Sequence, residues 1–178
     1  MNLIKTKLND CFIIEPKVFS DERGFFLETF HQERYLSEAG IKHKFIQDNY
    51  SRSQKNIIRG MHFQIRKPQG KLVRVVKGEV FDVAVDIRPD SSTFGEWDSV
   101  VLSEENKKQM WIPPGFAHGF MVLSDFADFE YKCTSYYDPA DESGFIWNDK
   151  DIDIKWPSGN AITGSKDTNL KPFAHLRI

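Results

Sequence analysis

Apolar residues along this chain come in short runs rich in Val, Ile, Phe and Tyr, each closed by Gly, Pro, Asn, Asp or Ser. That pattern is written by successive β-strands rather than by amphipathic helices. It predicts strands over 12–15, 24–29, 45–50, 58–64, 71–76, 79–88, 97–102, 109–112, 119–123 and 128–136. Lys77-Gly78 suits a tight hairpin turn between two of them. Tyr35, Leu36 and Ala39 fall at helical spacing within 31–39 and end at Gly40, which suits a left-handed cap. A shorter helical piece is expected at 166–169, after Gly164. Many strands, one or two short peripheral helices and no βαβ alternation point to an all-β fold, a closed barrel or a double-sheet jelly roll. With 178 residues and no internal repeat or linker, one domain over 1–178 is expected.

Within 79–88, alternation sends Asp82, Ala84 and Asp86 to one face and Phe81, Val83, Val85 and Ile87 to the other. Either the polar face is solvated, or it lines a cavity. Arg59, His62, Lys71, His118 and Tyr131 stand in or beside equally apolar strands, and that company favours a cavity. The charge balance narrows the ligand: 24 basic against 26 acidic side chains, net −2, with no single-sign block to meet nucleic acid. Residues 1–10 carry no apolar stretch that reads as a signal peptide or membrane span, so a cytoplasmic protein is expected. Cys11 and Cys133 lie far apart and read as reduced, buried thiols.

Two histidines raise the question of a metal. Pro113-Pro114-Gly115-Phe116-Ala117-His118 resembles the second motif of the cupin superfamily. In the other motif, His62-Phe63-Gln64 offers an amide where metal-binding cupins place a second imidazole. Two histidines without a nearby carboxylate match zinc or iron poorly, so no metal is expected. Imidazoles that are not ligands can move protons. Asp82 is the candidate partner for His118, and Asp167 for His62.

Asp21-Glu22-Arg23-Gly24-Phe25-Phe26, Arg59-Gly60-Met61-His62-Phe63-Gln64, Gly70-Lys71-Leu72-Val73-Arg74 and the run from Phe81 to Arg88 are similar to motifs of the dTDP-4-dehydrorhamnose 3,5-epimerase family. Trp111-Ile112-Pro113, Gly115 to Phe120, Tyr131-Lys132 and Trp147-Asn148-Asp149 follow in the same order. The resemblance implies a cupin-type jelly-roll β-barrel, a homodimer, no cofactor and a dTDP-4-keto-6-deoxysugar substrate. It assigns His62 as base, Asp167 as its orienting partner, Tyr131 as acid and Lys71 as the cation facing the enolate. It gives Arg23 and Arg59 to the diphosphate, and Glu28, Gln47, Asp48 and Asn49 to the thymidine and sugar. Phe26 becomes a base-stacking residue, and His118, Glu142 and Lys166 further substrate contacts. The front residues would complete the partner subunit's site. Alternatives are an epimerase inverting carbon 3 alone, an epimerase of a different nucleotide deoxysugar, or a non-catalytic sugar-binding cupin. Departures from the family pattern lie in 65–69 and in the tail beyond Trp156.

Overall fold

The computed structural model describes residues 1–176. In chain order it has β1 (Asn2–Lys5), β2 (Phe12–Glu15), β3 (Val18–Asp21), β4 (Gly24–Leu27), α1 (Gln32–Ser37), β5 (Gln47–Gln54), β6 (Ile57–Gln64), β7 (Lys71–Lys77) and β8 (Glu79–Asp86). There follow β9 (Trp97–Ser103), β10 (Gln109–Ile112), β11 (Phe116–Val122), β12 (Phe126–Cys133), β13 (Glu142–Gly144), β14 (Ile162–Thr163) and α2 (Ser165–Thr168), with a 3-10 turn at Phe173–His175. The expected strands are all present, and the two short helices fall where the spacing put them. β1, β3, β13 and β14, of two to four residues each, lie outside the expected strands.

The strands form a jelly roll of two facing sheets. One runs β1-β2-β10-β7-β12-β5 and the other β13-β6-β11-β8-β9, with β14 added to β6 and the β3-β4 hairpin standing separately. Inward residues of both sheets make the main core: Val73, Val75 and Phe129 from the first meet Val80, Ala84 and Phe120 from the second. Phe120 and Phe129 stack across it with ring centroids 4.2 Å apart. At the β7-β8 turn, Gly78 has φ +78, and a Cβ there would sit 2.2 Å from the Phe126 carbonyl oxygen. Only glycine satisfies both the conformation and the space.

The back of β8 is not solvated. Val83 and Val85 are covered by Phe145, Ile152 and Ile154, with Trp156 and Phe173 packed around them. Each of these side chains contributes about 1.5–3 kcal/mol on burial, offset in part by the entropy of ordering the chain. That contact fixes the C-terminal tail against the second sheet. The back of the first sheet is capped by α1 and the turn after it, where Tyr35 and Ile41 pack on Ile14, Leu72 and Trp111.

Candidate active site

A cavity of about 430 Å³ opens between the two sheets, a size suited to a small ligand. From the second sheet it is lined by Arg59, His62 and His118, from the first by Lys71 and Tyr131, and from the tail by Lys166 and Asp167. Alternation explains most of this: Lys71 shares the inward face of β7 with Val73 and Val75, and Tyr131 that of β12 with Phe129. It does not explain β6, where Arg59 and His62 are three apart and strict alternation would oppose them. The pairing of β11 with β6 supplies the reason. His118 faces His62 and Phe120 faces Arg59, so β6 holds one residue more than its partner between those pairs. This bulge resets the phase and turns both side chains into the cavity. Gly60, at φ +129, lies in it; a Cβ there would come within 2.6 Å of Gly119 Cα on β11.

His62 Nε2 and Asp167 Oδ1 are 2.6 Å apart, and the other carboxylate oxygen accepts the Gly60 N–H at 3.2 Å. Burial pushes the Asp167 carboxyl up, but the hydrogen bond and charge of His62 and the Gly60 N–H outweigh it and hold the acid below its ordinary value. Asp167 is therefore an ionised acceptor. Nε2 is the ring nitrogen that donates to it, so in the neutral imidazole the lone pair is on Nδ1. A second histidine–carboxylate pair lies alongside, His118 Nε2 to Asp82 Oδ2 at 2.9 Å. Burial pulls the His118 imidazole down, against the opposing charge of Asp82, so it is neutral. Asp82 Oδ1 is buried without a hydrogen-bond partner.

Across the cavity, burial pulls the Lys71 ammonium down while Cys133, Asp82 and Glu142 oppose that shift. Both carboxylates are already hydrogen-bonded elsewhere, Asp82 to His118 and Glu142 to Tyr137 and Lys166. Lys71 thus keeps donor capacity for a ligand. Burial raises the Tyr131 phenol, which stays protonated at neutral pH. Arg59 reaches over to donate to Ser53 Oγ at 2.9 Å, joining the sheets at the cavity's edge.

The remaining expected site residues divide by position. Glu142 and Lys166 form an ion pair beside His62. Gln47 and Asn49 bond each other at 3.0 Å, on the same face of β5 as Ser51, which lines the cavity. Asp48 departs from the expectation: one residue out of phase, it lies on the outer face and binds Lys132 at 3.0 Å. Arg23, Phe26 and Glu28 do not line this cavity either. Arg23 pairs with Asp21 on the β3-β4 hairpin, Glu28 pairs with Arg34, and Phe26 is 68% exposed. Asp86 is also no part of the cavity, since Arg88, Ser91 and Thr93 enclose its carboxylate at the far end of β8. Gln64 bonds the carbonyls of Lys67 and Tyr136. Among the described residues no cluster of three or more His, Cys, Asp or Glu side chains could hold a metal. Ser51, Phe120 and Phe129 line the cavity without having been singled out, because small polar and aromatic residues in strands carry no distinguishing spacing.

Residues 5–175 match the family model described as dTDP-4-dehydrorhamnose 3,5-epimerase. A protein of that name from Shigella flexneri is 55% identical over 174 residues, 97% of this chain and 96% of the relative. The crystal structure of a dTDP-6-deoxy-D-glucose-3,5-epimerase from Legionella pneumophila Philadelphia 1 in complex with dTDP-4-keto-L-rhamnose superposes with a TM-score of 0.96. It shares 52% identity and covers 99% of this chain and 94% of its own. A dTDP-4-dehydrorhamnose 3-epimerase from Streptomyces niveus is more distant, 35% identical over 99% of this chain and 86% of its own length.

Proposed function

The chain belongs to the dTDP-4-dehydrorhamnose 3,5-epimerase family and is a carbohydrate epimerase, and on that premise we propose how its residues divide the work. The substrate is dTDP-4-dehydro-6-deoxy-D-glucose and the product dTDP-4-dehydro-L-rhamnose. The ketone at carbon 4 acidifies the hydrogens on carbons 3 and 5. His62 Nδ1, left as a lone pair by the bond from Nε2 to Asp167, removes one of them. The C–H electrons move into the carbonyl, giving an enolate whose oxygen is met by the Lys71 ammonium. A preorganised cation stabilises that charge more than the neutral ketone. Tyr131 then returns a proton to the opposite face of the same carbon. Solvent reprotonates the phenolate and takes the proton from His62, so each inversion closes with no net change in the protein.

The observation that carries this reading is the placement of base and acid on facing sheets, the His62–Asp167 pair on one side and Tyr131 with Lys71 on the other. Inversion needs delivery from the face opposite to abstraction. His118, Glu142, Lys166 and Arg59 then contact sugar and diphosphate from within the chain. Arg23, Phe26 and Glu28 stand apart from the cavity on or beside a hairpin that also exposes Phe19 and Phe25. This supports a homodimer in which the hairpin completes the partner subunit's site. The two free, buried thiols support a reducing cytoplasmic setting.

NMR with dTDP-4-keto-6-deoxy-glucose in deuterated water tests the assignment. Deuterium is expected at carbons 3 and 5, with rhamnose formed when a reductase is added. Label at carbon 3 alone would make the chain a 3-epimerase, and no label would remove the epimerase reading for this sugar.

A further inference from the structure

The helix that delivers Asp167 is a single turn, held locally by Thr168 and Asn169, whose side chains bond the Gly164 and Ser165 carbonyls. α2 spans four residues, and Gly164 at its start provides no side-chain cap. A helix this short is not stable by itself, and the strand leading into it, β14, pairs with β6 over two residues. Yet Asp167 must meet His62 within a few tenths of an ångström for the pair to fix the ring's tautomer. Beside α2, Glu142 Oε2 accepts the Lys166 ammonium and also the Tyr137 hydroxyl, the latter at 2.6 Å. Glu142 lies on β13, which pairs with β6 next to His62, Gly144 facing His62 and Glu142 facing Gln64. Tyr137 belongs to the loop after β12, where its backbone N–H donates to Gln47 Oε1 at 2.8 Å.

We infer that Tyr137, Glu142 and Lys166 form a cross-brace that holds α2 in place, so that Glu142 and Tyr137 are positioning residues for the His62–Asp167 pair. One carboxylate oxygen joins the tail, the second sheet and the loop of the first sheet. Burial pushes Glu142 up, but the bonds from Lys166 and Tyr137 and the nearby charge of His62 hold it ionised. The brace therefore keeps its charge at neutral pH. The inference rests on His62 acting as the base, but it concerns how that base is built and can be read without substrate.

The test is NMR on the full-length protein with ring-labelled histidine and no sugar nucleotide. It follows water exchange of the His62 Nε2 proton and of the Asp167 and Thr168 amides, which donate to the Gly164 carbonyl. Lys166→Met and Glu142→Gln are each expected to speed both exchanges about tenfold, and Tyr137→Phe about threefold, as a local opening becomes easier. Lys166→Arg, which keeps a cationic donor, is expected to recover most of the protection. If Lys166 acted only through its charge, α2 would stay docked in Lys166→Met. Exchange within about twofold of the unaltered protein would then overturn the brace. Should the two charge variants fail to fold, Tyr137→Phe decides, since it removes a single hydroxyl; unchanged exchange there overturns the inference equally. Deuterium wash-in to the sugar is scored separately, so failure of the epimerase reading and failure of the brace give different results.

Discussion

Replacing Asp167 by Asn exchanges one carboxylate oxygen for an NH2 group and should disable the base without emptying the cavity. One carboxylate oxygen takes the Gly60 N–H at 3.2 Å and the other faces His62 Nε2 at 2.6 Å. Asparagine has a single oxygen. The backbone N–H can only donate, so the amide oxygen turns to Gly60 and the NH2 group turns to His62. Nε2 must then become the acceptor, and the ring proton moves to Nδ1, the atom that has to take the sugar's hydrogen. A wrong tautomer of this kind costs a histidine-based protease about 10⁴ in rate. On that scale the loss here is about 5 kcal/mol in barrier. The assay is deuterium wash-in at carbons 3 and 5 together with dTDP affinity by calorimetry. Asp167→Asn is expected to lose about 10³–10⁴ in exchange rate with dTDP affinity little changed. Exchange within tenfold of wild type would refute the tautomer argument, because the substitution leaves the imidazole itself in place.

Tyr131→Phe separates abstraction from delivery: solvent deuterium should still enter with retention at carbons 3 and 5, while the doubly inverted product disappears, and unaltered formation of that product would remove Tyr131 as the acid. Lys71→Met deletes the cation at the enolate oxygen and is expected to cost about 3 kcal/mol in barrier, near a hundredfold in kcat; a change confined to KM would place Lys71 in binding alone. For Asp86, burial pushes the carboxyl up, but bonds from Arg88, Ser91 and Thr93 outweigh it and bring the value to about 2. A folded value below the unfolded one gives stability that is complete above about pH 4 and lost as pH falls towards 2, amounting to about 2 kcal/mol. Urea melts between pH 7 and pH 2.5 should show Asp86→Asn weaker at pH 7 and less acid-sensitive than wild type; equal stability at pH 7 would contradict the assignment.

The strands that build both sheets were legible because their apolar runs and turn residues are local signals. The strands outside the expected ones carry no such signal. β3 is exposed along its whole length and β14 is two residues long, paired only through tertiary contact. The alternation in β8 correctly placed Asp82 with Ala84 towards the space between the sheets. What covers the opposite face, Phe145 and Ile152 from far down the chain, has no local trace. The same limit applies to the site. Two histidine–carboxylate pairs were anticipated and both form, since strands rich in Val and Phe make every acid and base conspicuous. The bulge that brings Arg59 and His62 to one face depends on the register with β11, which sequence spacing does not contain. Asp48 comes with Gln47 and Asn49 in the resemblance, and the strand places it on the opposite face of β5 from them, paired with Lys132.

Both inversions turn on His62 as the base. The most direct measurement is the rate of solvent deuterium entry into carbons 3 and 5 for His62→Ala beside wild type, with dTDP binding measured on the same samples. Exchange at both carbons should be abolished in His62→Ala while dTDP binding is nearly intact. Exchange persisting near the wild-type rate would contradict it and assign proton removal to another group in the cavity.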